Sequence, residues 1–497
     1  MNYELPAIIQ GGMGVGVSGW RLARAVAQAG QLGVVSGTGL DAVMVRRLQT
    51  GDRGGHVRRA LDVFPLGETA ERIVERYYVA GGKADGQAYL PKPMPCIYPS
   101  RWAEELLVAA NFVEIFLAKE GHDGQVGINY LEKIQLPTLP SIYGAMLAGV
   151  DWVMMGAGIP KSIPGLMDRL AQGESATLRI NVAGALPEEE FGTTFDPAAF
   201  MGGEAPSLAR PRFMAIVSSA TLATMLARRS EGRVDGFVVE LSRAGGHNAP
   251  PRGGTRLNEA GEPIYGPRDD PDLETIRKIG LPFWLAGGYA SASALAQAVL
   301  AGAAGVQVGT AFAFCEESDL DAEIKEQVLK ASLAGDLRVM TDPVASPTGF
   351  PFKVVELEGT LSEQVRYEQR RRICDLGYLR QAYRTESGAV NWRCSAEPVE
   401  DFVNKGGAVQ ETTGRKCLCN ALLGNLGLGQ VVADGSVEKP LITSGADVLA
   451  VTRFLPPDQI TYSAQEVIDQ ILPDITEQDS RQAPVSEALE ATAIPIP

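Results

Sequence analysis

Three successive short apolar runs each stop at a glycine-rich turn, and this pattern constrains the fold more than any other feature. Phe237-Val238-Val239-Glu240 leads to Ala244-Gly245-Gly246-His247, Phe283-Trp284-Leu285-Ala286 to Gly287-Gly288, and Gly305-Val306-Gln307-Val308 to Gly309-Thr310. Read as strands, they end at a rim where backbone can approach a ligand closely, because glycine has no Cβ to block it. One of the turns carries a histidine, in a chain with only 3.

The same rhythm extends upstream. Strands are expected at 7–11, 32–36, 126–130, 152–155, 213–217, 234–240, 283–286 and 306–308, alternating with helical runs. Between the first two, Ser18 is placed to cap a helix from Trp20, and Gly30 to end it. Leu22 and Val26 lie four apart on its apolar face. Ser291 likewise caps a helix carrying Leu295 and Val299. Residues 178–182 compete with 213–217 for the fifth strand; the second fits better, because a helical run and the next strand follow at once. Strand–helix alternation calls for a parallel sheet covered by helices, and eight units close into an α/β (β/α)8 TIM barrel. A doubly wound open sheet is the structural rival.

The 497 residues exceed what one ordinary core needs. Residues 1–335 are assigned to the barrel, with insertions at 51–110, a lid candidate, and at 175–210. Residues 336–473 read as an appended region packing on the barrel, and 474–497 as a polar, mobile tail. The net charge of −15 disfavours nucleic acid and anionic membrane surfaces as partners. No apolar stretch reaches the ~18 residues of a membrane span, and the start has no signal-like core, so a cytoplasmic location is expected.

At a barrel's C-terminal face, the loops after the last two strands form the usual phosphate site. Backbone N–H groups of Gly287, Gly288, Gly309 and Thr310 suit a phosphate-bearing cofactor. The bland alternative is that these glycines only make tight turns. His247 is the catalytic candidate, since an imidazole can take a proton or hydrogen-bond a developing anion; His56 and His122 read as surface residues. Asn129 ends the third strand with an amide that both donates and accepts. Gly12 and Met13 follow the first strand, where glycines let a flat ring lie against backbone. The run 12–16 superficially suggests a dinucleotide fingerprint, but Val35-Ser36-Gly37-Thr38 stands where its acidic residue belongs, so that reading is rejected. Cys374, Cys394, Cys417 and Cys419 fall close together but lack paired C-x2-C knuckles, and are expected to be core thiols rather than metal ligands. No metal is expected.

The motifs Ile8-Ile9-Gln10-Gly11-Gly12-Met13-Gly14, Gly127-Ile128-Asn129, Gly156-Ala157-Gly158-Ile159-Pro160, Ala244-Gly245-Gly246-His247, Ala286-Gly287-Gly288, Gly305-Val306-Gln307-Val308-Gly309-Thr310 and Glu317-Ser318 occur in one order over roughly residues 5–330. As a set they resemble the nitronate monooxygenases (2-nitropropane dioxygenases) and the related flavin-dependent enoyl reductases. The resemblance implies an FMN-binding barrel. It implies flavin contacts from Asn129, Gly245, Gly288 and Gln307 through Thr310, with Glu240 as a further polar contact. Gly246 and Gly287 belong to the same turns. His247 matches the family's histidine, base or polarising group beside the flavin. Two departures alter the pocket wall: Asn248-Ala249-Pro250-Pro251 follows the histidine, and Gly309-Thr310 is followed by Ala311.

The leading functional expectation is an FMN-dependent oxidoreductase that oxidises a small nitronate or related carbanion with dioxygen. The alternatives are an NAD(P)H-dependent enoyl reductase acting on acyl thioesters, and a non-catalytic flavin-binding module that docks a partner. A small-molecule substrate is expected in either enzymatic case, and a homo-oligomer is compatible with the sequence.

Overall fold

The computed structural model describes residues 4–472; the tail expected from 474 onward lies outside the described residues. Eight parallel strands form one sheet: β1 (Ile8–Gln10), β2 (Gly33–Ser36), β3 (Val126–Leu131), β4 (Trp152–Gly156), β5 (Arg212–Val217), β6 (Gly236–Glu240), β7 (Phe283–Ala286) and β8 (Gly305–Val308). Their spatial order is β1-β8-β7-β6-β5-β4-β3-β2. The ring closes between β1 and β2 through a parallel bridge from Ile9 to Leu32. There the Gln10 N–H donates to Leu32 O at 2.9 Å, and the Leu32 N–H to Ile8 O at 3.1 Å. The buried Gln10 side chain completes the seam, its Oε1 accepting the Val34 N–H at 2.9 Å. The chain is thus a (β/α)8 barrel, and closure excludes the open sheet.

Side chains alternate along each strand, so inward positions stack in layers. Trp152 and Trp284 meet edge to face at 6.3 Å near the N-terminal end. Their indole N–H groups are satisfied by Gln125 Oε1 at 2.7 Å and Pro6 O at 2.8 Å, so two large polar-tipped rings plug the barrel floor without an orphaned donor. Two positions along from Trp284 comes Ala286, which is in register with Glu240 and Gln307. Asn129 pairs with Ser36. Strand parity therefore aims Asn129, Glu240 and Gln307 into the same mouth.

The insertion at 51–110 forms helices His56–Leu61 and Gly67–Tyr77, then enters helix Arg101–Lys119, which Ser100 caps. Val57, Leu61, Ile73 and Tyr77 are buried in the large core cluster that includes the barrel's outer helices. The segment is a flank, and it contributes no wall to the cavity described below, contrary to the expectation of a lid. The excursion after β4 is an antiparallel pair, Ala176–Arg179 with Gly192–Phe195, followed by helix Pro197–Met201. Ser18 does not cap the helix Trp20–Gln28. Its hydroxyl instead donates to Gly11 O at 2.8 Å and accepts the Met13 N–H at 2.9 Å, bracing the turn after β1. Ser291 does cap its helix, accepting the Ala294 N–H at 3.2 Å.

Beyond residue 335, strand Arg338–Asp342 pairs antiparallel with Phe352–Glu356. Gln381–Arg384 joins Val182–Ala183 of the earlier excursion. Ile442, Val448, Val451, Phe454, Tyr462 and Val467 lie in the same buried cluster as the barrel helices. Among the described residues no helix is long and apolar enough to cross a membrane.

Candidate active site

A cavity of about 230 Å³ opens at the C-terminal face of the barrel. The turns after β1, β6, β7 and β8 build its rim, and Asn129, Glu240 and Gln307 reach it from strand ends. All the residues singled out from sequence border it: Gly12, Met13, Asn129, Glu240, Gly245, Gly246, His247, Gly287, Gly288, Gln307, Gly309 and Thr310. His56 and His122 do not. They are half-buried rather than fully exposed: the His56 ring lies 4.9 Å from that of Trp20, and His122 Nε2 is 2.7 Å from Ala118 O.

The glycines are needed for close approach. A Cβ on Gly12 would stand 2.6 Å from the Asn129 Cβ, and one on Gly245 would stand 2.7 Å from the Gly445 N. Gly287 and Gly288 have φ of 100° and 86°, values that L side chains rarely adopt. Beside them lies a cation that sequence reasoning missed: the Arg243 guanidinium carbon would be 3.8 Å from a Cβ on Gly288. Ala157, also in the wall, holds φ of 54°, a strained conformation for a non-glycine residue.

Four buried side-chain oxygens around the mouth lack hydrogen-bond partners: Asn129 Oδ1, Gln307 Oε1, Asn248 Oδ1 and Asn425 Oδ1. Three of their residues, Asn129, Gln307 and Asn425, line the cavity itself. Buried polar atoms are normally paired, so orphans gathered on the residues around one cavity mark a place for a polar ligand.

His247 is held from a distance in sequence. Its Nε2 lies 2.7 Å from Ser346 Oγ. Its ring meets that of Phe352 at 4.9 Å, and its backbone bridges to the same residue. The adjacent Gly246 N–H donates to Thr443 Oγ1 at 3.0 Å, so that amide is already paired. Burial, with the Lys133 ammonium nearby, pushes the imidazole down to about 4. The ring is therefore neutral at physiological pH. Burial pushes the Glu240 carboxyl up to about 7, so near neutrality it divides between acid and carboxylate.

The C-terminal region supplies wall that sequence reasoning did not foresee: Phe352, Leu422, Asn425, Ile442, Thr443, Ser444, Gly445 and Asp447. The Gly445 N–H donates to Thr310 Oγ1 at 3.1 Å, which ties that region directly to the turn after β8. A signal was present: Leu441-Ile442 followed by Thr443-Ser444-Gly445 repeats the apolar-run-then-glycine pattern of the barrel strands.

Residues 204–346 match the family model described as nitronate monooxygenase. This stretch carries β5 to β8 and ends at Ser346, the partner of His247. A curated protein from Mycobacterium tuberculosis, (3aS,4S,5R,7aS)-5-hydroxy-7a-methyl-1-oxo-octahydro-1H-indene-4-carboxyl-CoA dehydrogenase, is 30% identical over 124 residues, 25% of this chain and 30% of that protein. Similar solved structures include FabK from Thermotoga maritima, with a TM-score of 0.44 and 16% identity over 95% of this chain and 92% of that one. Nitroalkane oxidase from Streptomyces ansochromogenes gives a TM-score of 0.47 and 13% identity over 99% and 98%. The resemblance read from the motifs therefore has independent support over part of the chain: residues 204–346 match the nitronate monooxygenase family model, and they lie on the second half of a (β/α)8 barrel.

Proposed function

We propose that the mouth binds FMN and that the protein oxidises a small nitronate or related carbanion with dioxygen. The observation that carries this reading is the neutral, buried His247 imidazole beside a cavity lined by orphaned amide oxygens and bare glycine backbone. The residues present fit a flavin. Asn129 and Gln307 would meet the polar edge of the ring. Gly12 and Gly245 pack so closely on Asn129 and on the Ser444–Gly445 backbone that a Cβ on either would displace a wall residue of the mouth. The backbone at Gly287, Gly288, Gly309 and Thr310, with the Arg243 guanidinium alongside, would take the phosphate. Bound there, FMN would supply the two-electron chemistry that the protein side chains lack.

The chain's own residues select the substrate. A ring titrating at about 4 is a weak base, poorly matched to removing a proton from a carbon acid at neutral pH. It is well matched to holding an anion already formed. The neutral imidazole has one donor and one acceptor nitrogen. Nε2 pairs with Ser346 Oγ, and Ser346 Oγ lies 2.8 Å from Thr348 Oγ1, so the ring is fixed while Nδ1 remains for the substrate. Lys133 adds positive potential at the same point. The net charge of −15 fits a small-molecule substrate better than a nucleic acid, and a cytoplasmic location belongs to the same proposal.

The test is a comparison of a pre-ionised nitronate with its neutral nitroalkane. The nitronate should be consumed much faster, and His247→Ala should retain FMN while losing ~10²–10³ in kcat. Equal rates on the neutral compound, or unchanged turnover in the variant, would remove the role given to His247.

A second reading uses the same site for NAD(P)H-dependent reduction of an enoyl thioester. The acyl-CoA substrate in the name of the curated relative favours it, and a neutral imidazole would polarise a thioester carbonyl. Anaerobic mixing separates the two. Rapid loss of flavin colour on adding NAD(P)H supports the reductase; loss only on adding nitronate supports the oxidase.

A further inference from the structure

Cys374, Cys394, Cys417 and Cys419 are scattered over 46 residues of sequence, yet the fold brings all four to the wall of one pocket. Each of the six pairs among them is close enough for one thiol to raise the other's pKa. No disulfide joins them.

The surroundings are arranged for thiolate. Backbone N–H groups of Ala396, Asn420 and Leu379 are directed at the sulfurs of Cys394, Cys417 and Cys419. The Arg370 guanidinium faces Cys417. Its side chain is only 7% exposed and pairs with Glu438 through Nε at 2.5 Å, yet Nη1 and Nη2 have no partner. Buried cationic donors left unpaired beside a ring of sulfurs need an acceptor that the protein does not supply.

Among the described residues, no three His, Cys, Asp or Glu side chains converge tightly enough to hold a single metal ion. Zinc bonds four sulfurs at about 2.3 Å, which forces them into mutual contact. An iron–sulfur core instead holds its thiolates apart around an inorganic centre and accepts hydrogen bonds at sulfur. We propose that Cys374, Cys394, Cys417 and Cys419 ligate an iron–sulfur cluster. This departs from the expectation of ordinary core thiols.

The cluster would adjoin the active site. Helix Leu418–Gly424 borders the cysteine pocket at Leu418, Cys419 and Asn420, and the barrel cavity at Leu422. Three residues along a helix advance about 4.5 Å, so the two sites share one turn of chain.

The full-length protein, purified without oxygen, should contain iron and acid-labile sulfide in equal amounts, about two to four of each per chain. It should give a paramagnetic signal on oxidation or reduction. Cys374→Ser and Cys417→Ser should each lower iron and sulfide severalfold while flavin content is kept, since neither thiol borders the barrel cavity. Protein that carries no iron and takes up none on reconstitution with ferrous iron and sulfide would overturn the proposal, whatever the variants do. So would one zinc per chain without sulfide, or folded variants with undiminished iron.

Discussion

Two residues set opposite pH dependences on the same cavity. The His247 ring titrates at about 4 against an ordinary 6.5. Between those values the unfolded chain binds the proton and the folded chain does not, so stability falls as the pH drops through that window. The Glu240 carboxyl titrates at about 7 against an ordinary 4.5. There the folded chain holds the extra proton, so its contribution is full in acid and is lost as the pH rises toward 7 and beyond. The two windows overlap between about 4.5 and 6.5, where the opposite slopes largely cancel, so in flavin-free protein the urea midpoint should change little over that range. His247→Gln should leave midpoints that fall as the pH rises from about 4.5 to 7, and Glu240→Gln midpoints that rise from about 4 to 6.5; parallel profiles in all three proteins would sink both assignments. Both residues were legible in the sequence, because each sits within seven positions of a glycine turn that closes an apolar run. Ser346, which fixes the imidazole, was not. It lies 99 positions away, and nothing in Ala345-Ser346-Pro347 announces a contact of that range.

At the scale of elements, the legible part was whatever local sequence decides. Strands buried on both faces read as short apolar runs, and all eight barrel strands were found where such runs end in small residues. Where an element docks was not legible. Val57, Ile73 and Tyr77 of the 51–110 insertion are apolar at helical spacing whether they cover the mouth or the flank, and the structure puts them on the flank. Ser18 offers the same hydroxyl to a helix end or to a turn, and the turn holds it. Two glycines separate element packing from ligand approach. A Cβ on Gly33 would come within 1.8 Å of Ala23 O, where helix Trp20–Gln28 lies on β2. A Cβ on Gly12 would meet the Asn129 Cβ at 2.6 Å and Val34 Cγ1 at 3.3 Å. Gly33→Ala should therefore lower global stability by about 1–3 kcal/mol or more, read as a shifted urea midpoint. Gly12→Ala should displace Asn129 and reduce FMN retention more than it reduces the midpoint. If Gly12→Ala protein kept its flavin, the orphaned Asn129 oxygen would lose its meaning as a ligand contact.

For the whole molecule, the question is whether the region after residue 335 is an appendage or part of the barrel's cooperative unit. Its glycine turn at Gly445 is tied to Thr310, its Ser346 to His247, and its Phe352 packs on the same imidazole ring. Below that contact, Val448, Val451, Phe454 and Tyr462 lie in the core cluster shared with the barrel helices, and the Tyr462 hydroxyl donates to Ala311 O at 2.7 Å. An appendage with its own core would melt separately; a region whose buried side chains belong to another unit's core cannot leave without exposing that core. Phe454 is the discriminating position, since its side chain is 2% exposed and lies far along the chain from every barrel strand. Phe454→Ala removes a large ring from a closed site and should cost about 3–5 kcal/mol. If barrel and extension are one unit, that cost should move a single calorimetric transition downward and lower FMN retention with it, because Ser444, Gly445 and Asp447 are carried on the same stretch of chain. A split into two transitions, with the upper one and the bound flavin untouched, would show instead that the extension folds by itself and only rests on a barrel that is already complete.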